Sequence, residues 1–202
     1  ISAAQVRPIS VMAVLYRLWS KVQCRHVLLT ILSQLPHSIT GFLPGRGPYD
    51  AVYEMQWMLE QAHEYGPAQS GISLDLLKCF NTIHRPAART TLQTLGVPPA
   101  LLRQYFQSLH RVTRSWCLQD AMSPPKATTR GCPEGDPLSV LTMLSIATAW
   151  TSQVQHHTPT ARLGAYADNW GWMLTQPSQH AEVIQNTQLI VKAYTMHIDW
   201  TK

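Results

Sequence analysis

Asp168 and Asp75 are the residues whose types and settings offer the most chemistry. Asp168 lies in Leu163-Gly164-Ala165-Tyr166-Ala167-Asp168-Asn169-Trp170-Gly171-Trp172-Met173-Leu174, where two short runs of strand-forming residues flank Asp168-Asn169. The pattern predicts a β-hairpin whose two-residue turn is Asp168-Asn169, a pair that tolerates positive φ. Its aromatic flanks predict partial burial, and a carboxylate held at such a tip can meet a metal ion. Taken alone, the stretch is explained as well by a plain surface hairpin. Asp75 changes the balance, because it ends a second apolar run, Gly71-Ile72-Ser73-Leu74-Asp75-Leu76-Leu77. A near-continuous run of this kind predicts a strand buried on both faces. A carboxylate there is costly unless paired, and metal is one partner. Two such carboxylates can clamp Mg²⁺ ions and a triphosphate.

The elements that must position this pair follow from periodicity and punctuation. Ser10 is placed to cap a first helix, with Val11, Leu15, Leu18, Val22 and Leu29 at helical spacing and Arg17, Lys21 and Arg25 on another face. Pro36 ends it. The loop Gly41-Phe42-Leu43-Pro44-Gly45-Arg46-Gly47-Pro48 follows; its glycines permit close backbone approach and Arg46 can bind phosphate, although a simple linker explains it equally well. It has no G-K-[ST] and so is not a P-loop. Residues 50–64 predict a helix with Val52, Met55, Leu59 and Ala62 on one face. Pro86 opens another helix to about Leu95, and Pro99 suits the first position of the next. Residues 111–118 predict a strand paired with 126–129. Asp136 and Pro137 form an N-cap and N1 pair for a helix to about His156, apolar nearly all round and so buried. Ser178 is placed to cap a last helix with Val183, Thr187, Ile190 and Tyr194 on one face, and 196–200 predicts a closing strand. Antiparallel strands with helices packed on one face make the fold class α+β.

Bulk properties narrow the function classes. The chain has 202 residues, enough for one domain or slightly more. Sixteen Lys plus Arg against 11 Asp plus Glu give a net charge of +5, which favours an anionic partner. Cys24, Cys79, Cys117 and Cys132 are scattered without a C-x-x-C, which argues against a zinc site or a disulfide framework and for a reducing compartment. No apolar run reaches membrane-spanning length. The chain starts at Ile1 without Met and stops at Lys202 within a strand-like run, so it reads as a segment of a longer protein.

Several blocks together resemble the reverse transcriptase family, most closely its non-LTR (LINE-type) retrotransposon group. Arg7-Pro8-Ile9-Ser10 through Trp19 and Gly41-Phe42 through Ala51 resemble the family's opening blocks. Ser73-Leu74-Asp75-Leu76-Leu77-Lys78-Cys79-Phe80-Asn81 resembles motif A (D-x-x-K-A-F-D). Gly131-Cys132-Pro133-Glu134-Gly135-Asp136-Pro137-Leu138-Ser139 resembles motif B (G-x-x-Q-G-x-P-L-S). Tyr166-Ala167-Asp168-Asn169 resembles motif C (Y/F-A-D-D), and residues 197–202 resemble motif D.

The resemblance implies fingers over 1–70 and a palm over 71–202, with a thumb expected beyond Lys202. It implies an RNA-directed DNA polymerase that extends a primer 3′-OH with dNTPs by two-metal phosphoryl transfer. Asp75 and Asp168 match the metal-binding carboxylates, joined by the Leu76 carbonyl, for two Mg²⁺ ions with Mn²⁺ as an alternative. Phe80 matches the ring that excludes a ribose 2′-hydroxyl. Arg46, Lys78, Glu134, Gly135 and Ser139 fall at substrate positions, and Lys202 matches a proton donor to pyrophosphate. Implied partners are an RNA template, a DNA primer and the rest of a parent polyprotein, thumb included and an endonuclease as a further segment. No membrane is implied, and the family's location is intracellular, in nucleus and cytoplasm. Asn169 stands where a second motif C Asp is usual, Glu134 where a Gln is usual, and Asn81 where motif A has its second Asp. Asn169 and Glu134 keep open a second reading, a decayed or repurposed palm that binds nucleic acid without catalysis. An RNA-templated RNA polymerase is a third, against which Phe80 argues.

Overall fold

The architecture is built around one long helix that has almost no polar side. A computed structural model describes residues 9–118 and 120–199. In chain order it contains α1 (Val14–Ile31), α2 (Pro48–Glu64), β1 (Ser70–Asp75), α3 (Cys79–Thr82), α4 (Arg85–Thr94), α5 (Pro99–Arg111), β2 (Thr113–Arg114), β3 (Cys117–Leu118), β4 (Ala121–Met122), β5 (Lys126–Ala127), α6 (Pro137–His157), β6 (Arg162–Tyr166), β7 (Asn169–Leu174) and α7 (His180–Ala193). Short 3-10 turns follow α1 and precede α7.

The start of α6 is as the sequence predicts. Pro137 occupies the first turn, and Asp136 Oδ1 accepts the Leu138 N–H at 3.1 Å. With apolar residues around its whole circumference, α6 packs against α1, α4 and α7. Trp150, fully buried, stacks on Trp170 of β7 with ring centroids 4.8 Å apart and donates its indole N–H to Thr187 Oγ1. This fastens helix, sheet and α7 together.

The main sheet is antiparallel with order β1-β7-β6. An isolated parallel bridge, Ile39↔Ala165, adds the loop after α1 to the β6 edge, and an antiparallel bridge, Leu76↔Ile198, adds the chain beyond α7 at the other. That bridge is all that is described of the expected closing strand; Trp200 lies outside the described residues. On the sheet's inner face the Trp172 indole donates to His180 Nδ1 at 2.9 Å, while His180 Nε2 meets Ser70 Oγ at 2.7 Å. An indole can only donate, so His180 Nδ1 is the acceptor in this contact.

Several expectations are corrected. α1 begins at Val14 with Ala13 as N-cap and no side-chain cap, so Ser10 is not its start; the Ser10 N–H goes instead to the Glu134 carbonyl. The face of α1 that packs is Ser20, Cys24, Val27 and Ile31, and Val11, Leu15, Leu18, Val22 and Leu29 are exposed. Both faces are apolar at helical spacing, but the small Ser20 and Cys24 let α1 approach α6 closely. In α2 only Met58 is buried, and Val52, Met55 and Leu59 lie outside. β1 is buried at Leu74 alone, so it is not covered on both faces. The stretch 111–118 divides: α5 runs to Arg111, β2 pairs with β5 as expected, and β3 makes its own small hairpin with β4. Ser178 lies in a 3-10 turn, and α7 begins at His180 without a side-chain cap. α7 buries Val183, Asn186, Thr187 and Val191; of the expected face Val183 and Thr187 are buried, Tyr194 is buried as the C-cap, and Ile190 is half-buried. Among the described residues no helix is long and apolar enough to cross a membrane.

Candidate active site

The hairpin that carries Asp168 is shifted by one residue from the expected turn. Tyr166 pairs with Asn169, so the turn is Ala167-Asp168 and Asn169 opens β7. Burial of both Trp170 and Trp172 sets this register, because a slip by one would turn both indoles to the outer face. The positive φ falls on Ala167, at 55°. An L-residue there carries roughly 1–2 kcal/mol of strain. The Trp170 indole donates to the Ala167 carbonyl at 3.2 Å and helps hold the turn.

A second support lies behind the turn. The Thr40 N–H donates to the Ala165 carbonyl at 3.0 Å and the Ala165 N–H to the Ser38 carbonyl at 2.9 Å. A Cβ on Gly41 would stand 2.6 Å from the Ala167 nitrogen, so glycine is required for this contact. Phe42 stacks on Tyr166 at 6.3 Å. The Gly- and Pro-rich loop is therefore a brace for the hairpin. Arg46 staples it, with Nη1 donating to the Pro36 and Ile39 carbonyls at 2.9 Å each. A triphosphate could meet only the other edge of that guanidinium.

Asp75 is the last residue of β1, directly opposite Asn169. Cross-strand partners of this kind have Cα atoms about 4.5–5.5 Å apart. The Leu76 N–H donates to the Asp168 carbonyl at 2.9 Å, and the Asp75 carbonyl accepts the Asp199 N–H at 2.9 Å. Two carboxylates 93 positions apart in sequence thus sit at adjoining strand ends. Asn169 is exposed and turns its amide Nδ2 toward Asp168 Oδ1 at 3.4 Å. It presents a donor, and not its oxygen, to the carboxylate.

Motif A then turns sharply. Lys78 adopts a left-handed conformation with φ 47° as the N-cap of α3, and Phe80 is half-buried against the core. The Phe80 carbonyl accepts the Cys132 N–H at 2.6 Å, and the Ile83 carbonyl accepts the Gly131 N–H at 2.9 Å. Gly131 has φ 72°, and a Cβ on it would lie 2.4 Å from the Asn81 oxygen. Only glycine fits at this crossing of motifs A and B. Burial, and after it the negative fields of Asp168, Glu134 and Asp75, push the Cys79 thiol well above its usual range.

Of the other substrate candidates, Glu134 is half-buried and Gly135, with φ 102°, packs on the Ser10 carbonyl. Ser139 is 1 % exposed, and its hydroxyl meets that of Tyr105 at 3.3 Å. It lies in the first turn of α6 and faces the core. Lys202 lies outside the described residues. Among the described residues no group of three His, Cys, Asp or Glu side chains is placed to hold a metal. The oxygen donors at these adjoining strand ends are the Asp75 and Asp168 carboxylates, both hard ligands. Mg²⁺ commonly takes one or two carboxylates with the rest of its shell from water and phosphate, and these residues fit that pattern.

Three contributors escape a reading of the sequence. Gly41 looks like ordinary loop glycine until the hairpin is placed against it. Tyr16 donates to Asp136 Oδ2 at 2.9 Å and so joins α1 to the start of α6. Arg85 is a buried Arg just before a helix-opening Pro, and only that position hints at a role.

A family model described as reverse transcriptase (RNA-dependent DNA polymerase) matches residues 2–202. No curated protein matches the chain. Among solved structures, telomerase from Candida tropicalis in complex with a TWJ fragment of telomeric RNA has a TM-score of 0.70 at 10 % identity, covering 93 % of this chain and 34 % of that one. The corresponding Candida albicans complex gives 0.62 at 10 % identity, covering 93 % and 33 %. At such identities the likeness is one of fold, and this chain spans about a third of the length of those structures.

Proposed function

The chain belongs to the reverse transcriptase family, and from that premise we propose that it is the fingers (1–70) and palm (71–202) of an RNA-directed DNA polymerase. One observation carries the reading: Asp75 faces Asn169 across two strands while the Leu76 N–H holds the Asp168 carbonyl. Family membership alone would not require that neighbouring strand ends survive in this chain.

In the reaction, the primer 3′-hydroxyl attacks the α-phosphate of a dNTP, the new phosphodiester forms and pyrophosphate leaves. Bound Mg²⁺ would supply charge neutralisation around the triphosphate, held by Asp75, Asp168 and the Leu76 carbonyl. The protein's own part is positioning. The Phe80 ring lies under the sugar and leaves no room for a 2′-hydroxyl. Lys78 lies in the same turn. Glu134 and Gly135 line the template side near the nascent pair, and Lys202 gives a proton to pyrophosphate. An RNA template and a DNA primer are the macromolecular partners. A thumb elsewhere in the parent polyprotein would complete the grip. The motif pattern supports reading the parent as a non-LTR retrotransposon protein, with nucleus and cytoplasm as its proposed location.

The second reading, a palm that binds without catalysis, is favoured by Asn169, whose amide adds no charge. Primer extension on an RNA template with the full-length protein, titrated with Mg²⁺, separates the two. Polymerase function expects Mg²⁺-dependent extension by the parent and none by Asp75→Asn or Asp168→Asn. No extension by the parent at any Mg²⁺ level, with duplex binding intact, would leave the non-catalytic palm.

A further inference from the structure

Arg85 opens α4 and is 1 % exposed. Its guanidinium has five N–H donors, and all five are used. Nε donates to the Gly131 carbonyl at 2.8 Å. Nη1 donates to the Leu109 and Thr128 carbonyls at 3.0 and 2.7 Å. Nη2 donates to Thr128 Oγ1 and the Arg130 carbonyl, both at 3.0 Å. These partners are four carbonyls and a hydroxyl, with no carboxylate among them. A buried cation neutralised only by dipoles is a costly way to fill space. What it gains is geometric: one planar group ties the end of α5 to three residues of the loop entering motif B.

That loop is in backbone contact with the turn that carries Phe80. The Gly131 N–H goes to Ile83, the Cys132 N–H goes to Phe80, and there is no room for even a Cβ between Gly131 and Asn81. A shift of residues 128–132 must therefore move the Phe80 backbone or break those bonds. Arg85 touches neither the two carboxylates nor the Phe80 ring in any of its hydrogen bonds.

We infer that Arg85 is a positioning residue for sugar selection: by fixing the loop 128–132 it sets where Phe80 stands beneath an incoming nucleotide. The inference rests on the proposed role of Phe80 as the ring that excludes a 2′-hydroxyl.

The test is the ratio of kcat/KM for a dNTP to that for the matching rNTP, measured on an RNA template with the full-length protein. Loss of active molecules cancels from this ratio, so a role confined to holding the fold does not move it. Arg85→Lys keeps the charge but offers three donors from one point in place of a five-donor fork. The ratio should fall by roughly tenfold, in keeping with a displacement of well under 1 Å at a gating group. Thr128→Val removes one acceptor at a partly exposed position and should shift the ratio the same way by less. It decides the matter alone if Arg85→Lys does not fold. Phe80→Val separates the two layers. If Phe80→Val lowers the ratio while the loop variants leave it at the parent value, Arg85 only holds the fold and the inference is overturned. If Phe80→Val leaves the ratio unchanged, the gate reading itself fails, and the inference falls with it.

Discussion

Asn169 puts an amide where a carboxylate would add a charge, and it does so opposite Asp75 in the strand register. Its Nδ2 faces Asp168 Oδ1, so the atom it turns to the carboxylate is one that cannot ligate a metal. Asn169→Asp should therefore lower the Mg²⁺ concentration for half-maximal extension, by about tenfold for one added hard anionic ligand. A Mg²⁺ titration of parent and variant reads this directly, and superimposable curves would remove the hairpin from the metal site. Arg46 illustrates how a residue can be right in place and different in role. The sequence offers it as a phosphate ligand or as part of a linker, and it staples Pro36 and Ile39 behind the hairpin. Arg46→Ala should cost about 1.5–3 kcal/mol in urea denaturation, the range for hydrogen bonds made by a charged group. With the brace loosened, kcat should fall while KM for dNTP stays near the parent value. A raised KM with unchanged stability would restore the triphosphate contact. The candidate carboxylates are legible in the sequence because rare acids in apolar runs stand out. The staple is not, since its partners are backbone carbonyls that carry no sequence signal.

At the level of elements, strongly punctuated segments are the readable ones. Asp136-Pro137 marks the start of α6 because cap and first-turn chemistry are local. The packed face of α1 is not readable, since the choice between two apolar faces is made by α6, which lies more than a hundred residues away. The turn at 167–168 is lost for a like reason: local preference favours Asp-Asn, and burial of two indoles overrides it. Asp136 shows how an element's start is tied to the rest. Burial raises its carboxyl above the ordinary value, against hydrogen bonds from the Leu138 N–H, Tyr16 and Ser20 that act the other way. Between the pKa of the unfolded chain and this raised one, the native state holds more protons than the unfolded state. Stability therefore falls as pH rises through that window. Asn caps a helix as well as Asp does, so Asp136→Asn should keep α6 and lose this pH dependence. Urea denaturation across the acid range above about pH 4 should show the variant gaining on the parent as pH rises. Parallel stability–pH curves would mean that Asp136 titrates as it does in the unfolded chain.

For the molecule as a whole, the site is an assembly of four distant segments: the brace near 38–46, the motif A turn, the motif B loop and the hairpin. Their meeting is invisible to periodicity, and the ordered motif series is what makes the α+β palm recognisable beforehand. Charge is the property that belongs to the whole chain, with 16 basic against 11 acidic side chains. Arg17, Lys21 and Arg25 stand exposed at four-residue spacing on α1, about a quarter turn around the helix from the buried face of Ser20, Cys24, Val27 and Ile31. A polymerase must hold an RNA–DNA duplex by its phosphates whatever the sequence, and each phosphate neutralised releases counterions. If α1 tracks the duplex backbone, affinity should fall steeply with salt, and replacing all three residues by Gln should flatten the log Kd against log salt plot by roughly 2–3 units of slope. The same substitutions should leave thermal stability nearly unchanged, because the three side chains are exposed. Asp168→Asn, which should abolish extension, should bind the duplex with the parent's salt slope. Fluorescence anisotropy with a labelled hybrid across a salt series measures all of this. An unaltered slope in the triple variant would return Arg17, Lys21 and Arg25 to an ordinary solvated face and move the duplex to another surface of the palm.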